Sequence, residues 1–367
     1  MSGGDGSMEL QNMAPWVSSA EAIDHADTPE SLRQARVDSQ KWLLASQASA
    51  PLSDWLRTAN EMHDRIAARA VQMCEKGMVE DGFGPPPVPY AFIAFGSMGR
   101  SESTLWSDQD NGMIISDTIS ADKELYFREF GRRVSAMLEY LGYPKCEGKV
   151  MCSEPLWRQT LSGWQKQLTK WSDDFAWEPI RYLIISSDMR HIAGDERLSA
   201  NWKRSFYELF RKHPDLPSAV LRNTVRHKAT LNILGQIVTE RFGEHAGDFD
   251  VKYGLYIPLV NAVRFLALQH GVEETSTFKR LSRLASLEAA PLPLLDACER
   301  AFRIALQLRM ATPVKENDGL LVSNGYLAVK PLKQGKGWHE LREALSTVRR
   351  LHRALQRQLR FMEGRRS

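Results

Sequence analysis

The sequence predicts an α+β protein: a small sheet with helices in the second quarter of the chain, a helical segment before it and a helical bundle after it. Three patterns carry that prediction. Tyr90-Ala91-Phe92-Ile93-Ala94-Phe95 and Gly112-Met113-Ile114-Ile115 are short apolar runs that read as buried strands. Leu52, Trp55, Leu56, Ala59 and Met62 recur at helical spacing ahead of them. From about residue 196 to the end the pattern is almost wholly helical.

Taken in order, residues 1–28 are polar and glycine-rich at the start and are expected to form a disordered tail. Thr28-Pro29-Glu30 opens a helical region with Leu32, Ala35, Val37, Trp42, Leu43 and Leu44 as its apolar residues. Pro51 breaks it, because proline brings no amide to an interior helical turn. Gly82-Phe83-Gly84-Pro85-Pro86-Pro87-Val88-Pro89 is a proline-stiffened linker. Residues 29–85 are therefore a helical segment with its linker, and residues 86–195 the sheet-bearing domain.

Inside that domain, Lys123 to Leu141 reads as a helix with Leu125, Phe130, Val134, Met137, Leu138 and Leu141 on its apolar side. Trp157, Leu161, Trp164, Leu168 and Trp171 step by four and three residues, a helix with one aromatic stripe. A nucleobase could stack there, but the period is the one packing requires, and a packing seam is the favoured reading. Tyr182-Leu183-Ile184-Ile185 reads as another core strand. Residues 196–367 form the helical domain. Pro258 should start or kink a helix, and Pro291 and Pro293 mark a further break. The last helix, Trp338 to Met362, sets Leu341, Leu345, Val348, Leu355, Leu359 and Met362 against Arg349, Arg350, Arg353, Arg357, Arg360, Arg365 and Arg366. That basic face reads as solvated for most of these arginines, and a patch this dense could also dock an acidic partner or nucleic acid. Arg222, Arg226, His227 and Lys228 form a second basic group.

The 367 residues suffice for two or three domains with a substantial core. A formal charge of +3 gives no general affinity for polyanions. Phe361 is the one aromatic interleaved with the terminal arginines, so nucleic acid is not an expected partner. The four cysteines, Cys74, Cys146, Cys152 and Cys298, lack C-x-x-C pairing and read as reduced thiols. No stretch approaches the ~20 apolar residues of a membrane span, and residues 1–15 have no signal-peptide core. No membrane partner and a cytoplasmic location are expected.

The chemistry concentrates in Gly96-Ser97-Met98-Gly99-Arg100-Ser101-Glu102 and Ser107-Asp108-Gln109-Asp110-Asn111. Gly96 and Gly99 allow tight backbone and close approach of amides to a phosphate. Ser97 adds a hydroxyl donor without charge, and Arg100 could balance phosphate charge or hold Glu102. Asp108 and Asp110, at i and i+2 of an extended segment, project to one side, with Gln109 away from them. Two such carboxylates facing a triphosphate suit Mg²⁺ or Mn²⁺, which take few protein ligands. Two ions about 4 Å apart would activate an attacking hydroxyl and stabilise a leaving pyrophosphate. Strand, Gly-Ser turn and Asp-x-Asp entering a second strand form a layout for nucleotidyl transfer.

Gly-Ser-x-Gly-Arg-x-Glu, five residues, then Asp-Gln-Asp-Asn resembles the DNA polymerase beta-like nucleotidyltransferase superfamily. Within it the chain is most similar to a bacterial domain-of-unknown-function family of nucleotidyltransferases related to the N-terminal domain of PII uridylyltransferase. Gly148 to Arg158 looks like that family's segment after the catalytic strands, and Ser187 to Asp195 like its last core strand and exit. Phe249-Asp250-Val251-Lys252 through Pro258 and Arg264 resembles its C-terminal helical substrate-binding domain. The resemblance implies a polymerase beta-like mixed sheet. It also implies that Gly96, Ser97, Gly99 and Arg100 serve the NTP, with Asp108 and Asp110 on the metals. A third carboxylate completes the superfamily's site: Asp188, after Tyr182-Leu183-Ile184-Ile185, is the candidate and Glu154 the runner-up, while the competing reading of Asp188 is a surface turn paired with Arg190. Lys252 and Arg264 could reach the phosphates, or Asp250 and Lys252 could simply pair or cap a helix.

PII uridylyltransferases add an HD hydrolase and regulatory domains, for which this chain has no room. Its one His-Asp dipeptide, His63-Asp64, reads as an exposed helical pair. Members of the closer family carry N-terminal cyclic-nucleotide-binding or CBS modules, and the first 85 residues are too few and too helical for those. The leading expectation is a metal-dependent transferase, like [protein-PII] uridylyltransferase, moving UMP or AMP from UTP or ATP to an acceptor hydroxyl on a protein. The alternatives are a catalytically silent nucleotide-binding regulatory module, or transfer to a small molecule or an RNA end.

Overall fold

A computed structural model of the chain describes residues 16–117, 121–226, 237–240, 242–333 and 335–364. Residues 1–15 of the expected tail, His227, Lys228, Arg365 and Arg366 lie outside the described residues. The chain divides into two compact units. One holds the residues up to Trp164 with Met189–Trp202 and Lys315–Val322; the other holds Gln165–Asp188, Lys203–Val314 and Ser323 onward.

The first unit begins with a helix, α1 (16–24), where the sequence suggested disorder. Two large apolar side chains anchor it: Trp16 stacks on Trp42 at 6.1 Å between ring centroids, and Ile23 is fully buried. α2 (Pro29–Ser46) starts with a capping box, Thr28 and Ser31 each bonding the other's amide. Pro51 precedes α3 (Leu52–Glu80), which buries Trp55, Leu56, Ala59, Met62, Ile66, Ala67 and Ala70 along one face.

The sheet has the order β3-β2-β1-β4. β1 (Tyr90–Ala94) pairs antiparallel with β2 (Asn111–Ile115), Tyr90 opposite Ile115 and Ala94 opposite Asn111. β3 (Arg158–Thr160) adds in parallel beside β2. β4 (Arg190–Gly194) adds antiparallel beside β1, with a bulge at Phe92/Ile93. It is a mixed sheet, and every residue of β1 and β2 is buried. One turn of helix, α4 (Gly96–Gly99), follows β1, and α5 (Ala121–Tyr140) follows β2. α6 (Leu161–Asp173) begins directly after β3. Trp157 stands in a 3₁₀ turn before β3, and Trp164 donates its indole N–H to the Met113 carbonyl at 2.9 Å. Phe95, Trp157, Trp164 and Trp202 are buried with successive ring centroids 5.0, 6.0 and 5.7 Å apart, so these tryptophans form the packing seam.

The second unit is mainly helical. The run expected to be a strand, Tyr182-Leu183-Ile184-Ile185, lies in α7 (Trp177–Ser186). A short apolar run does not distinguish strand from helix. Here proline stands in the first turn, and Ile180, Leu183 and Ile184 are buried at three- and four-residue spacing. α8 (Glu196–Lys212) and α9 (Leu216–Thr224) follow β4 in the chain. The helical pattern conceals β5 (Asp248–Asp250) and then a π-helical turn, Lys252–Tyr256, that leads into α10 (Ile257–Gln269) with Pro258 in its first turn. α11 (Thr277–Ser286) and α12 (Leu292–Met310) follow. The strands β6 (Val314–Asn317) and β7 (Leu320–Ser323), nearly all of which belong to the first unit, and β8 (Tyr326–Ala328) also interrupt the expected all-helical region. β8 pairs antiparallel with β5, Leu327 opposite Phe249. α13 (Val329–Leu332) leads to α14 (Lys336–Gly364), whose Leu341, Leu345, Val348 and Leu355 are buried while Arg350, Arg353, Arg357 and Arg360 are exposed. Among the described residues no helix is long and apolar enough to cross a membrane.

Candidate functional site

The site grows from the end of β1. Phe95 is extended and its amide donates to the Asp110 carbonyl at 2.8 Å, so the two segments of the motif are joined by backbone. Gly96 then turns the chain with φ +56, a left-handed value that favours glycine. It opens the four-residue helix α4, closed by Gly99 N to Phe95 O at 2.8 Å and Arg100 N to Gly96 O at 3.1 Å. First-turn amides of a helix have no intrahelical acceptor and are available to a phosphate. Gly99 lies inside this turn, and Ser101 takes a left-handed φ of 55 just after it.

Asp110 closes over Gly96. A Cβ at position 96 would stand 2.1 Å from Asp110 Oδ2 and 3.0 Å from its Cγ. The absent side chain of Gly96 is thus the space that the carboxylate occupies. Asp108 and Asp110 are both partly exposed, in the extended approach to β2. Gln109 between them is buried, donating from Nε2 to the carbonyls of Ser135 at 2.9 Å and Tyr143 at 3.0 Å. The i, i+2 alternation therefore holds, with two carboxylates outward and an amide inward. Cys146 hydrogen-bonds Asp110, and its thiol is pushed up to about 12, first by burial and then by that carboxylate.

Hydroxyls gather at the turn. Ser97 Oγ lies 3.3 Å from Ser107 Oγ and accepts from Ser103 Oγ at 3.4 Å. Arg100 is buried, and its Nε donates to Glu102 Oε2 at 2.8 Å, Glu102 being buried as well. Of the two roles considered for Arg100, holding Glu102 is the one this geometry displays.

Among the described residues no group of three or more His, Cys, Asp or Glu side chains is placed to hold a metal. The donor set that is present consists of Asp108 and Asp110 with the cradle left by Gly96. Its hard oxygens are of the type that fits a hard divalent cation whose shell is completed by other oxygen ligands.

Asp188 lies in the second unit, past the end of α7 and not on a strand. It is fully buried. Its Oδ1 accepts from Arg264 Nε at 3.1 Å and Arg280 Nη1 at 3.0 Å, and its Oδ2 accepts from Arg264 Nη2. Arg280 Nη2 also donates to the Ser187 carbonyl at 2.9 Å. The structure thus brings together Asp188 and Arg264, which the sequence offered for separate tasks, as one buried ion-pair cluster. Lys252 opens the π-helical turn, with Nζ 5.7 Å from the centre of the Tyr253 ring. Glu154 is partly exposed in the first unit, and its carbonyl accepts from the Trp157 amide at 3.0 Å.

Several residues escaped the sequence reading. His63 and Asp64 are not an exposed pair. His63 is fully buried, with Nε2 2.7 Å from the Thr104 carbonyl and Nδ1 2.8 Å from the Tyr143 hydroxyl. Desolvation, then the charge of Arg36, lowers its pKa to about 3. Asp64 forms a two-point pair with Arg190 at 2.7 and 2.8 Å, and Arg190 Nη2 also donates to the Met98 carbonyl at 2.7 Å. A signal was present: Asn60 and His63 fall among the apolar positions of α3, where a polar side chain needs a partner.

A family model described as "Putative nucleotidyltransferase DUF294" matches residues 42–176. A second, described as "Putative nucleotidyltransferase substrate binding domain", matches residues 214–359. The first includes the turn, Asp108, Asp110 and Glu154, and the second includes Lys252 and Arg264; Asp188 and Arg190 fall between them. No curated protein matches the chain.

Proposed function

The chain belongs to the nucleotidyltransferase family whose catalytic and substrate-binding models it matches, and from that premise we propose that it moves UMP or AMP from UTP or ATP to an acceptor hydroxyl on a protein. The observation that carries the reading is the seating of the Asp110 carboxylate in the space left by Gly96. It supports reading the Gly-Ser turn and the aspartate pair as parts of one site.

Ser97 and the amides of the α4 turn would bind the β- and γ-phosphates, leaving the α-phosphorus toward Asp108 and Asp110. The acceptor hydroxyl gives up its proton to solvent as its oxygen bonds to that phosphorus, the bond to the bridging oxygen breaks, and pyrophosphate leaves with its electron pair. A divalent ion, Mg²⁺ or Mn²⁺, held by Asp108 and Asp110, would supply positive charge for the phosphates and lower the acceptor's pKa. The protein's own contribution is position and fixed polarity, which together carry most of the catalysis in phosphoryl-type transfer. We assign acceptor recognition to the second unit, in keeping with the substrate-binding family it matches. Resemblance to PII uridylyltransferase supports a protein acceptor and a place in signal transduction. Asp188 we assign to holding the second unit together, since both of its oxygens are already bonded to guanidinium groups.

Pyrophosphate release tests this. Purified protein is supplied with each NTP, Mg²⁺ or Mn²⁺ and a lysate of its source. Release that depends on one NTP and is lost in Asp108→Asn/Asp110→Asn is expected. Nucleotide binding without release in any combination would refute transfer and leave a silent binding module.

A further inference from the structure

The loop from Ser101 to Asp110 carries both aspartates yet has no helix or strand of its own. Its backbone is nonetheless bonded at three consecutive residues, Ser103, Thr104 and Leu105, to side chains of α2 and α3. Asn60 Oδ1 accepts from the Ser103 amide at 2.9 Å, and Asn60 Nδ2 donates to the Ser103 carbonyl at 3.2 Å. His63 Nε2 donates to the Thr104 carbonyl at 2.7 Å. Gln40 Nε2 donates to the Leu105 carbonyl at 2.7 Å. Three consecutive carbonyls and one amide are thereby satisfied by buried side chains, in place of the neighbouring strand that would ordinarily do so.

The tautomer of His63 follows. A carbonyl only accepts, so Nε2 carries the proton, and the ring stays neutral because burial holds its pKa far down. Nδ1 therefore accepts from the Tyr143 hydroxyl. The phosphate turn is fastened to the same helix by a different device. Arg190, on β4, is fixed by both oxygens of Asp64 and passes its remaining reach to the Met98 carbonyl inside α4. A planar fork is required for that three-way junction, and lysine has none.

We infer that α2 and α3 form a positioning platform for the site, with Gln40, Asn60, His63 and the Asp64–Arg190 pair as positioning residues for the turn and the aspartate loop. The inference rests on the proposed nucleotide site only for its consequence, because the bonds themselves are independent of what binds. Productive phosphoryl-transfer geometry tolerates errors of only about half an ångström, and an irregular loop reaches that precision only when its backbone is held from outside. Ser103, pinned at both backbone groups, donates its hydroxyl to Ser97, so the platform extends to the candidate phosphate-binding serine. Arg190 lies in neither matched family segment, and Gln40 precedes the first.

Full-length Asn60→Ala, Arg190→Gln and Arg190→Lys test it through two readouts. Hydrogen exchange followed by mass spectrometry should show the peptides covering 97–110 exchanging about tenfold faster in Asn60→Ala and Arg190→Gln, with β1 and β2 still protected. Calorimetry with each NTP and Mg²⁺ should show about tenfold weaker binding in Arg190→Gln and an intermediate loss in Arg190→Lys. Unchanged exchange across 97–110 in a folded variant would overturn the inference. So would exchange accelerated equally throughout the chain, which marks a merely structural role. If Arg190→Gln does not fold, Asn60→Ala decides alone. Absence of NTP binding by the wild type would instead count against the nucleotide reading, and the exchange result would still decide the platform.

Discussion

Gly96→Ala is the substitution that most sharply separates the site from the fold. Its cost has two parts. The first is backbone: alanine at φ +56 pays roughly 1–2 kcal/mol for a left-handed conformation. The second is steric. The new Cβ would meet Asp110 Oδ2 at 2.1 Å, whereas ordinary contact begins at 3.4 Å, so the carboxylate must retreat by about 1.3 Å. A displacement near 1 Å at a reacting centre costs about a hundredfold in rate. The expected result is a protein that still folds, with a melting temperature lowered by a few degrees, and with Mn²⁺ affinity and transfer reduced by about two orders of magnitude. Gly82→Ala is the control. It has φ +85 and nothing within 4 Å of the new Cβ, so it carries the backbone strain without the collision. Thermal denaturation, Mn²⁺ titration and transfer assays on the two variants give the comparison. If Gly96→Ala and Gly82→Ala lose equal activity, or Gly96→Ala keeps full Mn²⁺ affinity, the reasoning from the Asp110 cradle is wrong.

Three further outcomes follow from particular contacts. Asp188→Asn leaves two buried guanidinium groups short of a counter-charge and should destabilise the protein by about 3–5 kcal/mol; denaturant titration showing wild-type stability with lost activity would return Asp188 to catalysis. His63 has a folded pKa lowered to about 3 from an ordinary 6.5, so below pH 6.5 the unfolded chain binds the proton that the folded chain refuses. The stability His63 contributes is thus complete above pH 6.5 and falls by about 1.4 kcal/mol per pH unit as the pH drops from there toward 3; urea titrations between pH 7 and 5 should lose that slope in His63→Gln, and an identical slope would contradict it. The Cys74, Cys152 and Cys298 thiols are each pushed up to about 12 chiefly by burial, so they should react with thiol reagents at pH 8 only after unfolding, and rapid labelling of the native protein would disprove that burial.

Much of the fold was legible because its signals are local. Pro51, Pro258 and Pro291 stand at helix starts, and the two strands flanking the motif are short, apolar and fully buried. Illegibility began where local pattern and tertiary context diverge. Leu183, Ile184 and Ile185 have strand-like composition, but Pro179 pre-organises the turn ahead of them and packing selects a helix. Asp248–Asp250 and Tyr326–Ala328 are too short to show alternation, and each is a strand only because the other pairs with it. The site divides in the same way. Gly96, Ser97, Asp108 and Asp110 announce themselves by type and spacing, whereas Asn60 and Asp64 are ordinary polar residues of α3, and Arg190 stands 126 residues beyond Asp64. Their importance is created by a three-dimensional junction, and a single sequence records no distances.

On the proposed function, Asp108 and Asp110 serve transfer of the nucleotidyl group. The direct measurement is incubation of the protein with α-³²P- and γ-³²P-labelled UTP and ATP, Mg²⁺ and its source lysate, beside Asp108→Asn/Asp110→Asn. Label passing to a protein band from the α-labelled nucleotide alone, and absent from the double variant, is the predicted result. Label passing from the γ position, or transfer undiminished in the double variant, would contradict the account.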